Sequence, residues 1–195
     1  MDFSIYRSIN NFAAHTSWAH WFFIGFSEYG IAIFAALLGA TWWVGRRQSD
    51  AHNVAVVAAT GIGSLLALGL AQIIGNAVGR ARPFTTHPQV HLLIDRTKDF
   101  SFPSDHSTVA GACAIGLLLC SRRFGIAAVI TAVVMGFSRV YVGTHYVGDV
   151  LAGLILGATV TATTITFAAP LLERMIRMPS MARVARLVAG PQAAR

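Results

Sequence analysis

The sequence predicts an all-α fold, a polytopic membrane bundle of five to six transmembrane helices. Three observations predict it. Hydrophobic residues make up 55% of the 195 and charged residues only 12%, where soluble domains carry about a quarter charged. Mean hydropathy is +0.60. The few charges also cluster, leaving long uncharged stretches that packing in water does not require. The apolar content excludes a disordered chain, and two cysteines, Cys113 and Cys120, exclude a disulfide-stapled scaffold. Seven residues apart on one helix, these two stand about 10 Å apart along its axis at 1.5 Å per residue, too far for a mutual bridge, so they are expected to be packing residues.

The elements follow in chain order. Phe3 to Phe26 holds Asn10, Asn11, His15 and His20 among Trp18, Trp21, Phe22 and Phe23. It reads as an interfacial helix followed by a short span, or as one irregular span. The start has no basic segment ahead of an apolar core, so no cleavable signal is expected. Tyr29 to Gly45 is a 17-residue run ending at Arg46 and Arg47, and His52 to Gly79, 28 residues without a formal charge, is the clearest span. Between His106 and Arg122, and again between Arg123 and Arg139, lie 15 residues, reaching only about 22 Å of a roughly 30 Å hydrocarbon core. Extending the first back to Ser104 and the second through Arg139 to Val142 restores the length and sets Asp105, His106 and Arg139 at the membrane edge. Val150 to Leu172 adds 23 residues between Asp149 and Glu173. Residues 1–178 are thus expected to form one integral membrane domain, and 179–195 a basic tail, surface-lying or disordered.

The net charge of +7 does not call for a nucleic-acid partner, because the basic residues punctuate apolar runs instead of gathering on one exposed face. Fourteen of the fifteen are arginine and Lys98 is the only lysine. If the spans alternate, Arg46, Arg47, Arg122, Arg123, Arg174, Arg177, Arg183 and Arg186 share one side, which the positive-inside rule makes cytoplasmic. The opposite face receives the 24-residue connection Arg80 to Pro103 and the short one from Val140 to Tyr146. Loops of that length within a compact protein are usually functional or disordered.

Three polar stretches meet on that face: Arg80-Ala81-Arg82-Pro83-Phe84, Phe102-Pro103-Ser104-Asp105-His106-Ser107, and Ser138-Arg139 with His145 and Asp149. Together they hold what phosphate-ester chemistry needs. Arg82 and Arg139 offer planar forks for oxygens. Ser104 opens a helix whose first-turn amides are free for an anion. His145 and Asp149, four apart at a helix start, share one face, so the carboxylate can accept a proton from one imidazole nitrogen and leave the other to attack phosphorus. His106 is then available as the acid. Each residue also has a plain reading: Ser104 and Asp105 as a helix cap, Arg139 as a snorkelling anchor, His145 and Asp149 as a structural pair, His87 and His91 as ordinary loop residues. Against these stands the cost of ionisable groups at a membrane edge, all gathered on one face.

Pro103-Ser104-Asp105-His106 resembles the second signature of the type 2 phosphatidic acid phosphatase superfamily, usually Pro-Ser-Gly-His. Ser138-Arg139, five residues, His145, three residues and Asp149 are similar to its third, and Arg82-Pro83 to the end of its first. The lysine that usually opens the first signature is replaced by Gly75, followed by Asn76; Arg80 or Lys98 is the expected substitute. Asp105, the Arg-x-Arg-Pro-Phe run, Val90-His91-Leu92-Leu93 and the opening Phe3-Ser4-Ile5 with Ile9-Asn10 resemble the bacitracin-resistance branch of undecaprenyl diphosphate phosphatases.

The resemblance implies a metal- and cofactor-independent phosphatase of the bacterial cytoplasmic membrane, its site facing outward, that takes the terminal phosphate from a polyprenyl diphosphate. It implies His145 as nucleophile, Asp149 as its orienting group, His106 as acid and then base, and Arg82, Ser104 and Arg139 as the phosphate cradle. Arg80, Asp105 and Lys98 are further expected substrate contacts. Phosphatidic acid or phosphatidylglycerol phosphate as substrate, and lipid-phosphate binding or transport without hydrolysis, are the alternatives.

Overall fold

A computed structural model describes residues 2–190, without the side chain of Arg183. The described residues form nine α-helices: α1 (Asp2–Ala14), α2 (His20–Tyr29), α3 (Ile31–Gln48), α4 (Ala51–Val78), α5 (Pro83–Thr86), α6 (Asp105–Cys120), α7 (Arg122–Tyr141), α8 (Val147–Ile176) and α9 (Ala182–Ala189), with no strand among them.

Helices α4, α7 and α8 are long and apolar enough to cross a membrane. The N-terminal stretch takes its two-helix form, but α2 is not a separate span: α2 and α3 meet at a 58° bend and are long and apolar enough to cross a membrane only as a pair. The bend falls at Gly30, where an added Cβ would sit 2.7 Å from Met135 Cε of α7. Helix α6 has 16 residues and a length of about 24 Å, and it threads through the middle of the bundle against α4, α7 and α8. The two short runs extend as expected, α6 from a cap at Ser104 and α7 through Arg139 to a cap at Val142.

Small residues bring α6 and α8 to backbone contact, as membrane helices without a hydrophobic drive to associate require. A Cβ on Gly157 would collide with the Thr108 carbonyl, and one on Gly153 would lie 2.6 Å from the Ser104 carbonyl. The second contact fixes the start of α6 against α8, and the Ser104 amide donates to the Asp149 carbonyl at 3.1 Å to complete the seam. Cys113 is buried with Phe34, Leu117 and Met135, while Cys120 packs beside Val56 and Ile165; both are free thiols.

The ends of the bundle differ. At one end α9 lies against α3, α4 and α8, with Arg46 Nε and Trp42 Nε1 donating to the carbonyls of Leu187 and Val188. At the other, the C-termini of α4 and α7 and the N-termini of α6 and α8 converge. Helix α1 covers that second end. Asn10 brackets the His91 backbone, donating to its carbonyl at 2.7 Å and accepting from its amide at 2.9 Å, and the buried Tyr6 hydroxyl donates to the Gly143 carbonyl at 3.3 Å. Gly143 has φ +90°, and a Cβ there would meet the His91 carbonyl at 2.5 Å; only glycine fits this turn comfortably.

Candidate active site

The α7–α8 turn holds His145 fully inside the protein, 2% exposed. Its Nδ1 lies 2.7 Å from the Ser101 carbonyl. A carbonyl only accepts, so Nδ1 carries the proton and Nε2 keeps its lone pair. Arg82 Nη1 donates to Nε2 at 3.2 Å. Burial pushes this imidazole down to about 4, against the opposing pull of Asp149 and with the charges of Arg139 and Arg82 adding to the effect. At neutral pH it is therefore an uncharged base, its unprotonated nitrogen accepting from a guanidinium.

Asp149, in the first turn of α8, stands differently from the sequence expectation. Its Oδ2 is 3.8 Å from His145 Nδ1, beyond hydrogen-bond range; the Ser101 carbonyl has taken the direct role. The carboxylate instead accepts from the Ser101 hydroxyl at 2.5 Å, the Tyr146 amide at 2.9 Å and Arg80 Nη1 at 2.6 Å. It acts on His145 through its charge and through Ser101. Nothing in the local sequence marked Ser101: its bonds to residues 145 and 149 exist only once the loop has folded back.

Arg82, 5% exposed, gives its Nη1 also to the Thr144 carbonyl at 3.2 Å and its Nη2 to Asp99 Oδ2 at 2.8 Å. Burial raises the Asp99 carboxyl, but bonding with Thr97 and the Arg82 charge outweigh it and hold the group below the usual carboxylate range. Asp99 is half exposed, at 54%, so an incoming anion can displace it from the arginine. Arg139, also 5% exposed, donates Nη1 to the Ser27 hydroxyl at 2.7 Å and carbonyl at 3.3 Å. Its Nε is buried without a partner. An unpaired polar atom inside a protein is costly, and two buried guanidinium groups in electrostatic range of one another make an anion the natural complement.

Ser104 caps α6, its Oγ accepting from the Ser107 amide at 3.4 Å and the Ser107 hydroxyl at 3.1 Å. The capping reading and the phosphate-binding reading are thus both available to it. His106, half-buried in the first turn, lies in electrostatic range of Arg139, His145 and Arg82.

The three further expected contacts divide. Arg80 is not free for phosphate: it is engaged by Asp149 and by Asp2, each at 2.6 Å, and its guanidinium stacks over the Tyr146 ring at 4.0 Å. Asp105 accepts from Gln72 at 2.7 Å. Asp105 and Gln72 line a cavity of about 230 Å³ together with Gly75, Asn76, Asp99 and the exposed Lys98. Lys98 thus lines the same cavity as Gly75, where an added Cβ would meet only the Phe102 carbonyl at 3.0 Å. His87, read as an ordinary loop residue, stacks on Phe3 of α1 with ring centroids 3.8 Å apart. Among the described residues no cluster of His, Cys, Asp and Glu has the makings of a metal site.

Comparison with known proteins fits this geometry. Residues 54–171 match the PAP2 superfamily. The chain is 36% identical over 156 residues to the undecaprenyl-diphosphatase BcrC of Bacillus subtilis, covering 80% of this chain and 78% of that one. It is 29% identical over 185 residues to a protein of Bacillus licheniformis named bacitracin transport permease protein BcrC, covering 93% and 87%. The fold superposes on the crystal structure of Aquifex aeolicus LpxE with a TM-score of 0.64 at 22% identity, over 85% of this chain and 95% of that one. The chain belongs to the PAP2 superfamily and is a multi-pass membrane protein of that fold.

Proposed function

We propose that the chain hydrolyses the terminal phosphate of a polyprenyl diphosphate, undecaprenyl diphosphate above all, and so returns a cell-wall lipid carrier to its monophosphate. The observation that carries the reading is the state of His145: buried, uncharged, its Nδ1 proton fixed on Ser101 and its Nε2 lone pair beside Arg82. Simple anion binding needs the arginines but not this nitrogen. The names of the Bacillus subtilis relative and of a Sulfolobus acidocaldarius undecaprenyl-diphosphatase, 35% identical over 101 residues, point to the same substrate.

In the proposed reaction, Nε2 of His145 attacks the terminal phosphorus and the bond to the bridging oxygen breaks. His106, protonated once the charge of the bound diphosphate offsets the Arg139 and Arg82 charges that face it, gives that proton to the bridging oxygen as the lipid monophosphate leaves. The phosphoimidazole retains the Nδ1 proton and is cationic; Asp149 stabilises that charge from 3.8 Å and the Ser101 carbonyl holds the ring. Water then attacks phosphorus, gives its proton to His106, and the P–N bond breaks to release inorganic phosphate. Arg82, Arg139 and the α6 N-terminus at Ser104 hold the equatorial oxygens as charge spreads over them. Lys98 takes the outer contact that the superfamily lysine makes. The arginine-rich end carrying α9 faces the cytoplasm by the positive-inside rule, which puts the reaction at the outer face of the bacterial cytoplasmic membrane.

The test is phosphate release by purified protein from undecaprenyl diphosphate and from a diacylglycerol phosphate, with and without EDTA, beside His106→Ala. The diphosphate is expected to be preferred at least about tenfold, EDTA to leave the rate unchanged, and His106→Ala to lower it about 10²–10⁴-fold. A preference for the diacylglycerol phosphate overturns the substrate, and loss of activity with EDTA overturns the metal-free route. The name of the Bacillus licheniformis relative favours a second reading, transport without hydrolysis; a wild-type protein that binds the lipid and releases no phosphate supports it.

A further inference from the structure

Arg80 stands between two carboxylates from opposite ends of the sequence. Its Nη1 meets Asp149 Oδ1 and its Nη2 meets Asp2 Oδ2, each at 2.6 Å. Asp2 is itself fixed, because its Oδ1 accepts from the Gly148 amide at 3.0 Å in the first turn of α8. The guanidinium plane lies on Tyr146, whose hydroxyl meets Thr86 Oγ1 at 2.8 Å and whose ring is 5.4 Å from that of Tyr6. The backbone of Arg80 also takes part, since its carbonyl accepts from the Ser101 amide at 2.8 Å. One residue therefore grips both groups that face His145 Nδ1: Asp149 through its side chain and Ser101 through its main chain.

We infer that Asp2 and Arg80 are positioning residues for the histidine, so that the N-terminal helix α1 is a working part of the active site. The inference rests on the phosphatase reading above. Without Asp2, Arg80 has one carboxylate instead of two and its full charge falls on Asp149. The carboxylate then turns toward Arg80, away from the imidazole, and stabilises the cationic phosphoimidazole less well. With Asp2 present the guanidinium is shared, its geometry is fixed by a fork to each side, and Asp149 keeps its second oxygen for Ser101 and the ring. Neither residue touches the phosphoryl group, so their effect belongs to kcat and leaves the binding of the lipid diphosphate alone.

The experiment compares Asp2→Asn, Asp2→Glu, Arg80→Met and the double variant Asp2→Asn/Arg80→Met, all full-length in detergent, with His145→Ala as control and undecaprenyl diphosphate as substrate. Melting temperature shows that each variant is folded. Expected are a fall in kcat of about tenfold for Asp2→Asn and more for Arg80→Met, KM within twofold of wild type, partial recovery in Asp2→Glu, and a double variant no slower than Arg80→Met alone. Unchanged kcat in folded Asp2→Asn, a rise in KM alone, or additive effects in the double variant overturn the inference. Should an unfolded Asp2→Asn prevent the comparison, Asp2→Glu decides: kcat equal to wild type with the Arg80→Met loss intact overturns the role of Asp2. Full activity in His145→Ala is a different failure and defeats the phosphatase mechanism itself.

Discussion

Arginine serves at both ends of this bundle, and the two sets differ in what surrounds them. At the end bearing α9, Arg47, Arg122, Arg123, Arg174 and Arg177 are exposed. Arg46 and Arg47 lie over Trp43, 5.8 and 5.0 Å from its ring centroid, and Arg177 reaches Glu173 one turn back at 3.0 Å. These are the contacts of anchors in water or headgroups, each worth little alone. At the other end Arg82 and Arg139 are 5% exposed, their partners are mostly main-chain carbonyls and hydroxyls, and Arg139 Nε has none. Residue type is shared; burial and the partners around each guanidinium separate the two sets.

The sharpest way to break the contrast is to remove one arginine at a time. Arg82→Ala and Arg139→Ala are expected to lower kcat about 10²–10³-fold each, the usual loss when a preorganised donor to transition-state charge is deleted; steady-state phosphate release measures it. Of intermediate size is Gly153→Ala. The new methyl meets the Ser104 carbonyl and pushes the start of α6 away from α8, destabilising the bundle by about 1–3 kcal/mol, read as a lower melting temperature together with reduced turnover. The pH profile is a gentler test. Because His145 titrates at about 4, it is uncharged above that value, and kcat/KM loses nothing to its protonation between pH 8 and pH 5.5; an imidazole of His145 seen by NMR to titrate near 6.5 contradicts the burial argument. The smallest effect belongs to the other end: Arg122→Gln with Arg123→Gln is expected to leave the rate of purified protein within twofold of wild type.

Much of this arrangement was legible in the sequence because it depends on local spacing. The cap at Ser104, the four-residue step from His145 to Asp149 and the placing of Arg139 in the last turn of α7 follow from helix periodicity and from where the apolar runs stop. What could not be read is pairing across the chain. Arg80 looked available for phosphate because its two carboxylates lie 78 and 69 residues away, and the same distance effect hid Ser27 behind Arg139 and Ser101 behind His145. The direct bond expected between His145 and Asp149 followed from a helical register that does not hold at residue 145, which precedes α8 and turns its Nδ1 to Ser101. Lys98, expected beside Arg80 as a substitute for the lysine missing at Gly75 from nearness in sequence alone, lines the same cavity as Gly75. The bend between α2 and α3 was not legible in the sequence: at Gly30 an added Cβ would collide with the Phe26 carbonyl and meet Met135 of α7 at 2.7 Å, contacts that exist only once the chain has folded.

The proposed reaction turns on a bond between Nε2 of His145 and phosphorus. Acid-free rapid quenching of the protein with undecaprenyl diphosphate labelled in its terminal phosphate, followed by peptide mapping, measures this directly. Expected is an acid-labile, base-stable label on the peptide containing His145, formed before phosphate is released and absent from His145→Ala, which is also inactive. Label on another residue, or phosphate released at full rate by His145→Ala, contradicts it.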